Sequence, residues 1–234
     1  MNTEALVCIP GTMLDESLFD AQRLRLKSRI PVVVVAPTQG QTVAEMAAHV
    51  LAQAPTRFAL AGLSMGGIVA FEIWRQARER ISHLALLSTT PLPDHPQRRA
   101  IRDAQVNRAL AGELRDVLIE SMKPLYLGRK SRADRSLLDR ILNMGLKLGA
   151  DVFRRQSAAL QTRRDSRETL ASIDCPTLVL CGTEDAVCPL DLHVDMWRKL
   201  PRADLAVLNE CGHLPTLEQP ETVSRHLETL LERT

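Results

Sequence analysis

Aromatic residues are scarce in this chain of 234 residues: four Phe, two Trp and one Tyr, about 3% of the whole. That is too few for a pocket built mainly on ring stacking. Long apolar runs are missing too. None approaches the roughly 20 residues that a bilayer-spanning helix requires, and the first apolar stretch stops at Pro10, behind the acidic start Met1-Asn2-Thr3-Glu4, which is too short and has the wrong charge for a secretory leader. Charge of one sign is also lacking, since 30 Lys plus Arg stand against 28 Asp plus Glu. A net charge of +2 creates no field that would recruit nucleic acid or an acidic membrane. The five cysteines (Cys8, Cys175, Cys181, Cys188, Cys211) are odd in number and contain no C-x-x-C pair, which excludes a zinc knuckle and a full disulfide framework. Unpaired thiols point to a reducing, cytoplasmic compartment. There is no G-x-G-x-x-G, no P-loop and no metal-ligand spacing, so no cofactor and no metal are expected.

What is present is alternation. Short apolar, β-branched runs at 5–9, 31–36, 57–62, 82–88, 176–182 and 203–208 predict strands. Helical patterns occupy 42–54, 64–80, 190–200 and 219–232. This is the signature of an α/β protein with a mostly parallel sheet of about six strands. Val32-Val33-Val34-Val35 has no polar alternation and predicts a strand covered on both faces. In the last helix Thr222, Val223, His226, Leu227, Leu230 and Leu231 fall near a 3.6-residue period, predicting one face docked on the sheet.

Between residues 90 and 171 the alternation stops and the chain reads as about four helices, punctuated by Gly112, Pro124, Gly128 and Gly149. Leu114, Val117, Leu118 and Met122 make one apolar stripe; Leu137, Leu138, Ile141, Leu142 and Leu148 make another. The expected organisation is a core of residues 1–90 and 171–234, with residues 91–170 inserted as a helical cap. The inserted segment carries 17 basic against 10 acidic residues, leaving the remainder net acidic. Such a balance suits either solvated, ion-paired helix faces or a cap that favours anionic ligands.

The stretch Phe58-Ala59-Leu60-Ala61-Gly62-Leu63-Ser64-Met65-Gly66-Gly67 runs from a strand through G-x-S-x-G directly into an apolar helix. A turn that tight forces strained backbone at Ser64, and glycines on either side remove colliding Cβ atoms. The serine is thereby presented at the end of a strand, beside a helix N-terminus that favours a developing oxyanion. A serine hydroxyl needs a base, and the base needs an orienting partner. Two later loops offer them, each after a strand: Gly182-Thr183-Glu184-Asp185 and Asn209-Glu210-Cys211-Gly212-His213. In an open α/β sheet all three groups emerge at one rim. For the acid, Glu184 next door and Asp94 after the fourth strand stay open as alternatives to Asp185.

These elements, in the order strand, elbow, helical insertion, G-x-x-D loop and G-H loop followed by Leu217-Glu218-Gln219-Pro220, resemble the α/β-hydrolase superfamily over nearly the whole chain. The segment from Gln156 to Arg167, running on to Cys175-Pro176-Thr177, is further similar to 3-oxoadipate enol-lactone hydrolases and small carboxylesterases. Two features depart from the family: Leu6-Val7-Cys8-Ile9 stands where its third strand is usual, with two preceding strands missing, and Pro10-Gly11-Thr12 replaces a common His-Gly. The resemblance implies an α/β-hydrolase fold, with Ser64 as nucleophile, His213 as base and Asp185 as its orienting acid. It also implies an oxyanion hole from the backbone N–H groups of Met65 and Thr12, with Gly11 and Met13 on the same wall. Arg163 either meets a substrate carboxylate or pairs with Asp165. The remaining histidines (His49, His83, His95, His193, His226) are read as structural or solvated. Cys188 and Cys211 are read as small buried groups, and Met122, Met144, Phe153 and Trp74 as packing. The activity implied is hydrolysis of small carboxylic esters through an acyl-enzyme, with small molecules and neither nucleic acid nor membrane as partners. Enol-lactone or vinylogous C–C bond hydrolysis is the alternative with the same triad, and a ligand receptor without significant turnover is a remoter one.

Overall fold

The computed structural model describes residues 4–121 and 123–234. Six strands form one sheet: β1 (Ala5–Ile9), β2 (Val32–Val34), β3 (Phe58–Leu63), β4 (Ile81–Leu87), β5 (Thr177–Gly182) and β6 (Ala203–Leu208), in the order β2-β1-β3-β4-β5-β6 with every neighbouring pair parallel. The central strands are predominantly apolar because both faces are covered. Along β1, Val7 and Ile9 join the core cluster on one face, and Leu6 and Cys8 join the cluster on the other. The first face is closed by α2 (Val43–Gln53), α3 (Met65–Ala77) and α9 (Leu190–Lys199), through Met46, Val50, Phe71, Ile73 and Met196. The second is closed by α1 (Asp20–Leu26) and α11 (Pro220–Leu231), through Leu26, Val223, Leu227 and Leu230. At about 25 cal/mol per Å² of apolar surface, each fully buried side chain of this kind contributes on the order of 2 kcal/mol.

The α/β reading and the six strand positions agree with the sequence to within one or two residues. One expectation about the strands fails. The valine run is covered only in part, because β2 is an edge strand whose three residues are half-buried. Two helices had no sequence signal, α1 and the single turn α10 (Pro215–Glu218); α1 buries only Gln22 and Leu26 of its seven residues, too few to make a period.

Between β4 and β5 the described chain holds α4 (Arg98–Arg108), a π-helical turn at Ala109–Glu113, α5 (Leu114–Ser121), α6 (Lys123–Tyr126), α7 (Arg135–Gln161) and α8 (Arg167–Leu170). Gly112 and Gly149 do punctuate it, with φ of +100° and +82°, and Gly149 bends α7. Pro124 falls within α6 rather than at a break. Leu114, Val117 and Leu118 pack with Met13, Leu142, Val152 and Phe153 in a cluster of their own. The second predicted stripe divides, since Leu137, Leu138 and Ile141 pack with the sheet's cluster, whereas Leu142 and Leu148 join the helical one. Met122 and Met1 to Thr3 lie outside the described residues. Part of the basic excess is paired with acids of the core, Arg129 with Glu184, Arg140 with Asp20 and Lys147 with Asp15. Among the described residues no helix is long and apolar enough to cross a membrane, and all five cysteines are unpaired and buried.

Candidate active site

β3 delivers Ser64 at φ +55°, ψ −115°, and α3 begins at the next residue. An L-residue held there costs on the order of 1–3 kcal/mol, which the surroundings must offset. They do so through the Ser64 N–H donating to Leu87 O of β4 at 2.9 Å, and through Ser64 O accepting from Gly67 N–H at 3.0 Å and from Thr89 Oγ1 at 2.7 Å. The glycines are required by contact: a Cβ on Gly66 would stand 1.9 Å from Ile9 O, and one on Gly62 2.3 Å from Gly66 O.

The loops after β5 and β6 bring Asp185 and His213 to this serine. His213 Nε2 is 2.9 Å from Ser64 Oγ, while Nδ1 is 2.9 and 3.0 Å from the two Asp185 oxygens. A carboxylate accepts only, so Nδ1–H donates to it and Nε2 is left as acceptor for the serine O–H. Both side chains are buried, His213 at 1% exposure. Burial alone would raise the Asp185 pKa, but the His213 bond and charge, together with N–H donors from Cys188 (2.8 Å) and Val187 (2.9 Å), outweigh it and hold the carboxyl below the usual range. The alternative acids go elsewhere. Glu184 accepts from the Arg129 backbone and side chain, and Asp94 is held between Arg102 and Arg163.

Thr12, Ser64, Met65 and His213 line one cavity of about 200 Å³, together with Ile68, Phe153, Cys188 and residues of α4 to α6. Met65 opens α3, where first-turn N–H groups lack intrahelical acceptors. Two of the predicted wall residues differ. Gly11 packs behind the wall, where a Cβ would touch Ser64 Cβ at 3.1 Å, and Met13 turns away into the helical cluster, 2% exposed. Arg163 does face the cavity, but it pairs with Asp94 at 3.0 Å, whereas Asp165 pairs with Arg167. Phe153, expected only to pack, also lines the cavity. Cys188 and Cys211 are buried, and burial pushes both thiols up, away from reactivity. His193 is structural: its Nε2 accepts from Thr89 N–H at 3.1 Å behind the elbow, and burial lowers its pKa. Among the described residues no group of His, Cys, Asp and Glu could hold a metal ion.

Three supporting residues escaped the sequence reading. Gln156 of α7, fully buried, accepts from Met13 N–H at 2.9 Å and donates to Pro37 O at 3.1 Å, tying the insertion to the Thr12 loop. Glu218 accepts from Gly212 N–H (3.0 Å) and Leu214 N–H (3.3 Å), either side of His213, and from Gly128 N–H (2.8 Å) of the insertion. Tyr126 accepts the His213 N–H on its carbonyl at 2.8 Å and packs its ring 5.5 Å from the imidazole. Gln156 and Glu218 fall in motifs visible in the sequence, yet their partners lie up to 143 residues away.

Comparison with known proteins agrees with the fold. The model of the alpha/beta hydrolase family matches residues 6–226. A pimeloyl-acyl-carrier-protein methyl ester esterase of Nitrosomonas europaea is 29% identical over 175 residues, covering 71% of this chain and 68% of that protein. A thermophilic esterase from Thermogutta terrifontis, solved with malate bound, superposes with a TM-score of 0.88 at 28% identity, covering 97% of this chain and 89% of the other. The enol-lactonase from Burkholderia xenovorans superposes at 0.87 over the whole of this chain and 93% of its own, at 18% identity, a likeness of fold.

Proposed function

The chain belongs to the alpha/beta hydrolase family, and from that premise we propose that it hydrolyses small carboxylic esters through an acyl-enzyme, with Ser64, His213 and Asp185 as the catalytic triad. The observation that carries this reading is the unbroken hydrogen-bonded line from Ser64 Oγ through the His213 ring to Asp185, starting at a strained elbow. In the first step Ser64 Oγ bonds to the ester carbonyl carbon as its proton passes to His213 Nε2, and the carbonyl electron pair moves onto oxygen. The N–H groups of Met65 and Thr12 stabilise that oxyanion; one such donor is worth about 3 kcal/mol in a dry site. Collapse breaks the bond to the alcohol oxygen, which takes the proton from His213. Water, deprotonated by the same nitrogen, then repeats the attack on the acyl-enzyme and frees Ser64. Asp185 keeps the imidazole in the required tautomer and stabilises its charged form.

Residues 91–170 act as the cap that roofs the cavity, over a core of residues 1–90 and 171–234. A cytoplasmic location is part of the proposal, supported by five cysteines that are buried and unpaired. The test is a panel of short and long acyl esters, thioesters and lactones, run with wild type and Ser64→Ala. Ester turnover that falls by several orders of magnitude in a folded Ser64→Ala protein is the expected result. Turnover retained in that variant overturns the assignment, and a lactone as best substrate moves the reading to lactone hydrolysis by the same triad.

A further inference from the structure

Resting on the reading above, we infer that the same cavity contains an anion subsite, formed by Arg98 and Arg102 with Arg163 behind them. It takes the free carboxylate of a half-ester, a short dicarboxylic acid esterified at one end.

The subsite follows from a charge imbalance. Asp94, on the stretch between β4 and α4, has a side chain only 4% exposed. Arg102 of α4 donates to both its oxygens, from Nε at 2.8 Å and Nη2 at 3.3 Å. Arg163, just past α7, donates to the same carboxylate from Nη1 at 3.0 Å, and to Leu92 O and Leu160 O at 2.9 and 3.1 Å. One carboxylate balances one guanidinium, so the second cation is in excess. It is poorly placed to recover hydration, because the two arginine side chains are 18% and 7% exposed. A surplus charge held out of water is costly unless a counter-charge arrives. Burial already works against further positive charge here, holding the Arg163 guanidinium below its usual value. Arg98 adds a third cation to the same wall.

A purely structural role accounts for Arg163, whose carbonyl bonds fasten the base of the cap. It extends to Arg102, which shares Asp94, but not to Arg98, an exposed residue of α4 that lines the cavity with no carboxylate partner among the described residues. Among the described residues lining that cavity there are three arginines and no carboxylate. Gln105, hydrogen-bonded to Ser121 at 2.9 Å, adds neutral polar groups to the wall. The arginines come from the cap, whereas Thr12, Ser64, Met65 and His213 come from the sheet's rim. A ligand with an ester at one end and an anion at the other therefore matches the two chemistries of the cavity, and a volume of about 200 Å³ suits a short spacer between them. Guanidinium groups present the forked donors that carboxylates accept.

The experiment compares kcat/KM for monomethyl glutarate and monomethyl adipate with methyl pentanoate and methyl hexanoate, by methanol release. Each ratio of anionic to neutral substrate is taken on one preparation, so it does not depend on the fraction of active enzyme. The expected ratio in wild type is tenfold or more in favour of the half-ester. It falls severalfold in Arg102→Gln and in Arg98→Gln, and rises in Asp94→Asn, where the resident counter-charge is gone. A wild-type ratio near or below one overturns the subsite, as does a ratio that neither arginine variant moves. Calorimetric titration of glutarate into Ser64→Ala and Ser64→Ala/Arg102→Gln reads the subsite without turnover, which separates its failure from failure of the triad. Saturable binding weakened about tenfold by the second change supports it; no binding, or equal binding to both proteins, overturns it.

Discussion

The sheet core and the inserted helices hold their shape in different ways. In the core, positions near the chemistry are fixed by backbone against backbone: Gly66 has the Ile9 carbonyl where a Cβ would go, and Gly62 has the Gly66 carbonyl. In the insertion, Gly112 and Gly149 adopt positive φ with nothing within 4 Å of where a Cβ would stand, so they turn the chain without being packed against. The insertion is held largely by side chains, through Gln156, the Arg163–Asp94 pair and the Gly128–Glu218 bond, and meets the core backbone to backbone beside His213, where Tyr126 O accepts the His213 N–H and Gly212 lies against Leu127 and Gly128. On the proposed reading, bond-making geometry rests on the part that tolerates least change, and ligand selection on a part that can vary.

The sharpest break of this comparison sets one acid from each region side by side. Asp185→Asn is expected to lower kcat by about three to four orders of magnitude with the fold intact, through the wrong imidazole tautomer. Asp94→Asn is expected to cost tenfold at most on a neutral ester. Steady-state kinetics on both variants checks this, and the reverse ranking would move the acid to the loop after β4. Next in size is Gly66→Ala, whose methyl cannot fit 1.9 Å from a carbonyl oxygen; little folded protein is expected on size exclusion. Gln156→Leu probes the joint between regions. Losing both hydrogen bonds leaves Met13 N–H and Pro37 O unpaired, for roughly 1–3 kcal/mol each. A kcat reduced about tenfold with KM little changed, alongside a lower Tm, would show that the cap holds the Thr12 loop in register for the oxyanion. An unaltered kcat would confine Gln156 to stability. Smallest is Gly149→Ala, which meets no atoms and carries only the strain of its φ +82°, ψ +169° backbone, on the order of 1–3 kcal/mol. Thermal unfolding should show a loss of a few degrees; a collapse comparable with Gly66→Ala would abolish the contrast.

Much of this was legible in local patterns. The buried strands announce themselves as unbroken apolar runs, and Ser64, Asp185 and His213 each follow a strand at a recognisable spacing. The valine run misled because four β-branched residues look the same at the edge of a sheet as at its centre, and position in the strand order is not a local property. α1 stayed hidden because so short a helix with two buried residues has no measurable period. Arg98 and Arg102 were invisible for another reason. In a segment with 17 basic residues, nothing in the spacing distinguishes those that turn into the cavity from those that face water.

The fastening of Gly128 and the His213 loop by Glu218, and of the Thr12 loop by Gln156, bears on how such proteins can be recombined. A chimera that swaps residues 91–170 alone would import new α6 and α7 sequences but keep Glu218, Met13 and Pro37 from the host, leaving acceptors and donors mismatched at both junctions. The transplantable unit is the helical segment together with its docking points on the two loops, and a graft that respects that boundary keeps both junctions paired.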